Sequence, residues 1–172
     1  MLDKHENTKD PNQVFSADEI YELWTLLLQA GWSLFELRNA ELQPSGITTM
    51  HAAILFFMQA IGNDATPAEI ARWILRKPNT VSAMLDRMEK SELIVRSKDM
   101  PKKNRVRITM TEKGREALQA SLERKSIHRV FSLLSDDERQ RLRAYLNIIR
   151  NATLMELRKS PHNVPFPQDK IG

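Results

Sequence analysis

Hydrogen-bonding and basic side chains lie close together in the middle of the chain. Lys77, Asn79, Thr80 and Ser82 fall within six residues, and Arg87 follows Thr80 by two turns if the segment is helical. These groups donate and accept hydrogen bonds, and Lys77 and Arg87 add positive charge. Base edges and phosphate oxygens are the groups that such side chains bind in nucleic acids. The pattern therefore indicates non-covalent recognition of a polar, negatively charged partner.

Motifs that support covalent or metal chemistry are missing from the sequence. The chain has no cysteine, which excludes disulfides and thiolate metal ligands. It contains no Gly-rich phosphate loop, no serine nucleophile motif and no His-Glu helix motif. No histidine has a second ligand at helical spacing that makes a convincing metal set; the four are His5, His51, His128 and His162. We expect neither an enzyme nor a protein with a metal or cofactor.

Positive charge is concentrated between Arg72 and Arg107. This stretch holds eleven basic and four acidic residues, a net charge of +7, whereas the whole chain carries +4. The remaining residues are therefore slightly acidic. Neutralising phosphates requires such a local excess, but a solvated charged face would have the same composition.

The size and apolar content fit one globular domain with helical extensions. The chain has 172 residues, of which 41% are hydrophobic and 28% charged. Its first twelve residues are polar, and no uninterrupted apolar run reaches membrane-spanning length. We expect a cytoplasmic protein with no membrane partner.

Helix-start signals and apolar spacing predict a mainly α-helical chain of about six helices. Capping boxes predict three helix starts, at Ser16 with Glu19, Thr66 with Glu69, and Ser135 with Glu138. An apolar stripe along the first helix comprises Ile20, Leu23, Trp24, Leu27, Leu28, Leu34 and Phe35. Further helices are predicted over 47–61, over 67 to about 75, from Lys77 to Leu93, from Thr111 to Phe131, and from Ser135 to Leu157.

A β-hairpin follows the fourth of these helices. The apolar residues Val95, Val106, Ile108 and Met110 alternate with polar ones around a basic, proline-containing tip. A short helix, a tight turn, a second helix and a basic hairpin form, in that order, a winged helix-turn-helix. The second helix of such a unit enters the major groove of DNA, and the hairpin, or wing, reaches an adjacent minor groove.

The predicted DNA-binding residues lie at the start of the second helix, along it, and on the hairpin. They are Lys77, Pro78, Asn79, Thr80, Ser82, Arg87, Lys98, Lys102, Lys103, Asn104, Arg105 and Arg107. Two simpler explanations stay open. Asn79, Thr80 and Ser82 could cap a surface helix, and the hairpin lysines could mark a solvated loop that resists edge aggregation.

Four short motifs in order resemble the MarR family of regulators. They are Thr66-Pro-Ala-Glu-Ile-Ala, Asn79-Thr-Val-Ser-Ala-Met-Leu-Asp-Arg-Met-Glu-Lys, Leu93-Ile-Val-Arg and Met110-Thr-Glu-Lys-Gly. The resemblance covers roughly residues 18–155 in element order and is sharpest over 66–114. It implies a transcriptional regulator, expected to act as a repressor, whose two copies read a pseudo-palindromic operator as a homodimer. Arg105 would then be the nearest candidate for the arginine of the wing.

Two departures from the family pattern affect the site. Ser91-Glu92 stands where the family usually has a glycine after the recognition helix. The family's Asp-x-Arg or Asp-Arg-Arg of the wing appears as Lys102-Lys103-Asn104-Arg105. Arg105, Lys103 and Arg107 therefore all remain candidates for the minor groove.

The resemblance and the apolar surface together predict five regions. They are a flexible arm over 1–15, a dimerisation helix over 16–46, the winged helix-turn-helix over 47–110, dimerisation helices over 111–158 and a flexible tail over 159–172. The stripe between Leu142 and Leu157 is the main candidate interface, with an ordinary intramolecular core as the alternative.

A small aromatic ligand is a further predicted partner. The resemblance implies a cleft between the dimer and DNA lobes, and six residues could line it: Trp24, Trp32, Phe35, Met50, His51 and Phe57. The same side chains would equally fit a plain core. The alternative function for the whole chain is a winged-helix module that binds protein without reading DNA.

Overall fold

The computed structural model describes residues 18–98, 106–159 and 164. Those residues form seven α-helices and two β-strands: α1 Glu19–Leu42, α2 Thr49–Ile61, α3 Pro67–Trp73, α4 Pro78–Lys90, β1 Ile94–Ser97, β2 Arg107–Met110, α5 Glu112–Ser121, α6 Lys125–Phe131 and α7 Asp136–Glu156. Short 3₁₀ turns cover Gln43–Ser45 and Gly62–Asp64. The predicted order of helix, turn, helix and hairpin is confirmed.

Two compact units divide the chain, Met1–Leu37 and Arg38–Gly172. In the first unit, Asp18 caps α1, since its carboxylate accepts from the amides of Ile20 at 3.0 Å and Tyr21 at 3.2 Å. Ser16, the predicted cap, lies outside the described residues. The predicted apolar stripe is mostly exposed in this unit; its exposed members are Ile20, Leu23, Trp24, Leu27 and Phe35.

The second unit contains the hydrophobic core. Its fully buried side chains come from α2, α3, α4, the hairpin and, at the end of α1, Leu42: Leu42, Ile54, Leu55, Ile70, Val81, Leu85, Met88, Ile94 and Ile108. Each fully buried side chain of this size contributes roughly 2 kcal/mol to the free energy of unfolding. Helix α4 is buried on one stripe, and its opposite face is exposed.

Helix α4 ends in a left-handed residue that is not glycine. Glu92 has a φ of 60°, the amide of Leu93 donates to the carbonyl of Met88 at 2.9 Å, and the amide of Glu92 donates to Glu89 at 2.9 Å. This is a Schellman ending with Glu92 in the position that glycine usually takes. The departure from the family glycine therefore leaves the turn geometry intact, at a backbone cost of about 1 kcal/mol.

A single helix over 111–131 was predicted, and this is wrong. Arg124 adopts a φ of 50° and separates α5 from α6. The buried Arg38 guanidinium donates to the carbonyl of Ser121, which a continuous helix would have bonded to the amide four residues on. Glu41 accepts from Arg38 at 2.5 Å and from the buried hydroxyl of Ser126. These tertiary hydrogen bonds outweigh local helix propensity.

The Glu41 carboxylate is held in its charged form. Burial raises the pKa of Glu41, but the hydrogen bonds from Ser126 and Arg38 outweigh burial and lower this pKa from 4.5 to about 2. The charged network therefore persists through the neutral and mildly acidic range.

Several predicted boundaries shift by a few residues. Helix α2 begins at Thr49, because the Thr48 side chain accepts from the amide of His51. Of the three predicted capping boxes, Ser135 with Glu138 forms completely. Thr66 does accept from the amide of Glu69 at 3.2 Å, but the Glu69 carboxylate turns to Arg72 and the indole of Trp73.

The hairpin is antiparallel, with Ile94 opposite Met110 and Arg96 opposite Ile108. Ile108 is buried as predicted, and its amide also donates to the carbonyl of Ala65 at 2.9 Å. In β1 the buried residue is Ile94, whereas Val95 is exposed. Placing Val95 on the apolar face was therefore wrong, since side chains alternate along a strand and Ile94 occupies that face.

Helix α5 packs its first turn on the turn that follows α4. The Thr111 hydroxyl donates to the carbonyl of Glu92 at 2.6 Å and accepts from the amide of Gly114 at 3.0 Å. A Cβ at Gly114 would lie 2.1 Å from the backbone oxygen of Leu93. Glycine is therefore required for this close approach.

We expect Gly114→Ala to lower the free energy of unfolding by about 3 kcal/mol, because the new methyl group forces α5 away from Leu93. Gln119→Ala, on an exposed position of the same helix, should change it by less than about 0.5 kcal/mol. Urea unfolding followed by circular dichroism measures both. Equal midpoints for the two variants would contradict the close packing.

Candidate nucleic-acid interface

The start of α4 presents polar side chains that do not serve the fold. Pro78 occupies the first turn, Lys77 is the N-cap, and the Lys77 side chain makes no capping hydrogen bond. Asn79, Thr80 and Ser82 are exposed. Their side chains make no hydrogen bond or ion pair within the part of the chain that the structure describes. The capping explanation for these residues therefore does not hold.

Helical geometry places the polar and buried residues of α4 on different faces. Val81, Leu85 and Met88 are buried at spacings of four and three, which fixes the rotation of the helix about its axis. Asn79, Ser82 and the other polar positions consequently face solvent. Because the backbone N–H groups of the first turn also point outward there, this end of α4 favours a negatively charged partner.

Arg87 lies on the exposed face, two turns beyond Thr80. Its Nε donates to the carbonyl of Ala83 at 3.2 Å, which holds the side chain along the helix. The charge of Arg87 also reaches His51 at the start of α2. Burial lowers the pKa of His51 below 6.5, and the positive charge of Arg87 lowers it further, so neutral imidazole is favoured beside this helix.

Arg96 on β1 is one of the eleven basic residues between Arg72 and Arg107, and the structure pairs it with acidic side chains of α4. It contacts Asp86 at 2.6 Å and Glu89 at 3.6 Å, and it donates to the carbonyl of Ser82 at 3.3 Å. Arg96 therefore neutralises the two carboxylates of α4 that would otherwise repel phosphate. The sequence did not reveal this role, because the prediction placed Val95 on the apolar face of β1, whereas the structure buries Ile94 and puts Arg96 on the same side of the strand.

The predicted hairpin residues are described only in part. Arg107 donates to the carbonyl of Asn63 at 2.7 Å, at the base of the hairpin, and Lys98 is exposed after β1. Four predicted residues lie outside the described part of the chain: Lys102, Lys103, Asn104 and Arg105. The wing contacts stay predictions.

The predicted ligand-pocket residues fall in both units. In the first, Trp24 and Trp32 are more than half exposed and Phe35 is about one third exposed. In the second, Met50, His51 and Phe57 are half-buried, and the Phe57 ring lies 5.5 Å from that of Trp73. Their role in binding stays a prediction. Among the described residues, no three histidine or carboxylate side chains converge on a point where a metal ion could bind.

None of the helices in the described ranges is both long and apolar enough to cross a lipid bilayer.

The arrangement of α3, α4 and the hairpin defines the winged helix-turn-helix class. Comparison with known proteins supports this class. Residues 45–100 match the model of the MarR family. No curated protein sequence matches the chain significantly.

Solved structures match over most of the chain. The ligand-free form of the organohalide-sensing transcriptional regulator RdhR-CbdbA1625 has a TM-score of 0.81 and 29% identity, covering 94% of this chain and 98% of that one. Its 2,4-dichlorophenol-bound form has a TM-score of 0.80 and 28% identity, covering 95% and 96%.

Two DNA complexes are also similar. MepR of S. aureus in complex with DNA has a TM-score of 0.69 and 24% identity, covering 75% of this chain and 96% of that one. The repressor CouR on a 23-mer duplex has a TM-score of 0.67 and 25% identity, covering 73% and 89%. The predicted resemblance to the MarR family of winged helix-turn-helix transcriptional regulators is confirmed.

Proposed function

We propose that this protein is a sequence-specific regulator that binds double-stranded DNA as a homodimer on a pseudo-palindromic operator and represses transcription there. The observation that carries the proposal is the exposed start of α4, where Asn79, Thr80 and Ser82 have no role in the fold. Side chains of these types read base edges in the major groove, and Lys77 and Arg87 suit phosphates. The complexes of MepR and CouR with DNA support this reading.

The test begins with selection of bound fragments from genomic DNA, which supplies an operator duplex. Asn79→Ala and Ser82→Ala should each weaken operator binding by about 5- to 100-fold, because a good base contact is worth about 1–3 kcal/mol. Affinity for an unrelated duplex should stay the same. Gln119→Ala serves as the control, and fluorescence anisotropy at fixed salt measures all four proteins.

A winged-helix module that binds protein would give a different result. Wild type and both variants would then bind every duplex equally weakly. That outcome would overturn the DNA-reading proposal.

The homodimer is proposed from exposed apolar faces on two helices. On α7, Tyr145, Ile148, Ile149 and Met155 are exposed, and Ile148 is 65% exposed. The first part of α1 exposes a second set of apolar side chains, which includes Ile20, Leu23 and Trp24. Exposed apolar surface of this extent marks an interface rather than a solvated face. The faces therefore support the predicted dimerisation regions over 16–46 and 111–158.

We expect Ile148→Asp to convert a dimer of roughly 40 kDa, twice the 19.9 kDa chain, into monomer, because the charge would be desolvated at the interface. Operator affinity should fall with it. Gln140→Asp introduces the same charge at an exposed position of α7 and should leave the mass unchanged. Sedimentation equilibrium measures both masses. A monomeric wild type that still binds the operator would contradict the homodimer.

A response to small aromatic compounds is the last part of the proposal. The regulator RdhR-CbdbA1625 was solved with 2,4-dichlorophenol, and half-buried Met50 and His51 begin α2 in this chain. Adding 2,4-dichlorophenol should lower operator affinity in the anisotropy titration. Unchanged affinity up to its solubility limit would contradict binding of this compound class.

A further inference from the structure

A basic concavity lies beside the start of α4. Its volume is about 390 Å³, and Pro78 of α4 forms part of its lining. Four of its lining side chains are basic: Arg72, Arg76, Arg158 and Lys159. Among the described residues that line it, none is acidic. Residues in and just after α3 and residues just after α7, far apart in sequence, thus bring positive charge to one place.

The backbone that carries two of these cations, Arg158 and Lys159, is held in a defined helix ending. Arg158 has a φ of 54° and its amide donates to the carbonyl of Met155 at 2.9 Å. The amide of Lys159 donates to Leu154 at 2.8 Å, which completes a Schellman ending. The helix therefore ends before Arg158, and the backbones of Arg158 and Lys159 are ordered without a partner.

The segment beyond α7 is anchored at a second point. Val164 is only 6% exposed and also lines the concavity. Its carbonyl accepts from the Arg150 guanidinium at 2.7 Å. Arg158 and Lys159 are therefore followed along the chain by a second ordered point at Val164, in addition to the hydrogen-bonded end of α7.

The charges of the concavity are only partly satisfied by the protein itself. Arg72 pairs with Glu69, whose carboxylate also accepts from Trp73. Arg76, Arg158 and Lys159 have no ion pair with any residue in the described ranges. Three positive charges are thus available to a partner next to the helix end that presents Asn79.

We propose that Arg158 and Lys159, with Arg76, bind phosphates of the DNA strand that flanks the groove entered by α4. The inference rests on the proposed function and extends the interface to the C-terminal end of α7. DNA is the occupant that fits, because phosphates border the groove wherever the start of a recognition helix is inserted. Contacts of this kind add affinity without adding sequence preference.

The experiment compares the full-length protein with the double variant Arg158→Gln, Lys159→Gln, which removes two charges and keeps both side chains polar and unbranched at Cβ. Operator affinity is measured between 50 and 300 mM salt, roughly the range over which phosphate contacts are resolved. We expect the slope of log affinity against log salt to decrease by about 2, and affinity at 0.1 M salt to fall at least about tenfold. Affinity for an unrelated duplex should fall by the same factor.

A charge-matched control separates a local contact from net charge. Lys113→Gln with Lys125→Gln also removes two charges, at exposed lysines paired with Glu92 and Glu123. It should leave the salt slope within error of wild type. Thermal unfolding of both double variants verifies that they fold.

The possible outcomes distinguish a failure of the C-terminal contact from a failure of the proposed function. An unchanged slope in the Arg158 and Lys159 variant, with wild type binding normally, would overturn the C-terminal contact alone. Equal losses in both double variants would also overturn it, since net charge would then explain the effect. A wild type that binds no duplex would overturn the proposed function and this inference together.

Discussion

The burial of one stripe of α4 is the constraint on which the interface depends. Val81, Leu85 and Met88 are fully buried against the core of the second unit, and roughly 2 kcal/mol per side chain opposes any rotation of the helix. A helix that cannot rotate must present its remaining residues in one direction. Asn79 and Ser82 therefore face outward as a consequence of packing rather than by their own interactions.

Neighbouring elements hold α4 from both ends and along its side. The turn after α3 leads directly into its first residue, and the Schellman ending at Glu92 receives a hydrogen bond from Thr111, the N-cap of α5. Arg96 joins β1 to Asp86 and at the same time cancels a negative charge on the exposed face. The Arg96–Asp86 ion pair therefore fixes the position of α4 against β1 and also makes the exposed face less negative. This explains why one arginine of the basic segment is paired with a carboxylate of α4.

Local signals predicted the parts of the fold that depend on few residues. The caps at Thr66 and Ser135, the proline at the start of α3, and the apolar spacing of α4 each report on one helix turn. The break at Arg124 could not be predicted in this way, because it depends on Arg38, more than 80 residues away in sequence. The basic concavity was missed for the same reason: Arg76 and Arg158 meet only once the chain has folded.

The part of the candidate site that lies on a single helix was predictable. The residues of α4 follow from periodicity alone, whereas the neutralising role of Arg96 requires the strand to be packed against the helix. The left-handed conformation of Glu92 could not be predicted either, because glycine is the usual sequence signal for that conformation.

Hydrogen–deuterium exchange of the protein with and without its selected operator duplex tests most directly whether the exposed face of α4 is the binding surface. We expect slower exchange on adding duplex in peptides covering 77–87, with α5 unchanged. Protection confined to other helices, or the same change with an unrelated duplex at equal concentration, would contradict the claim that this face reads DNA.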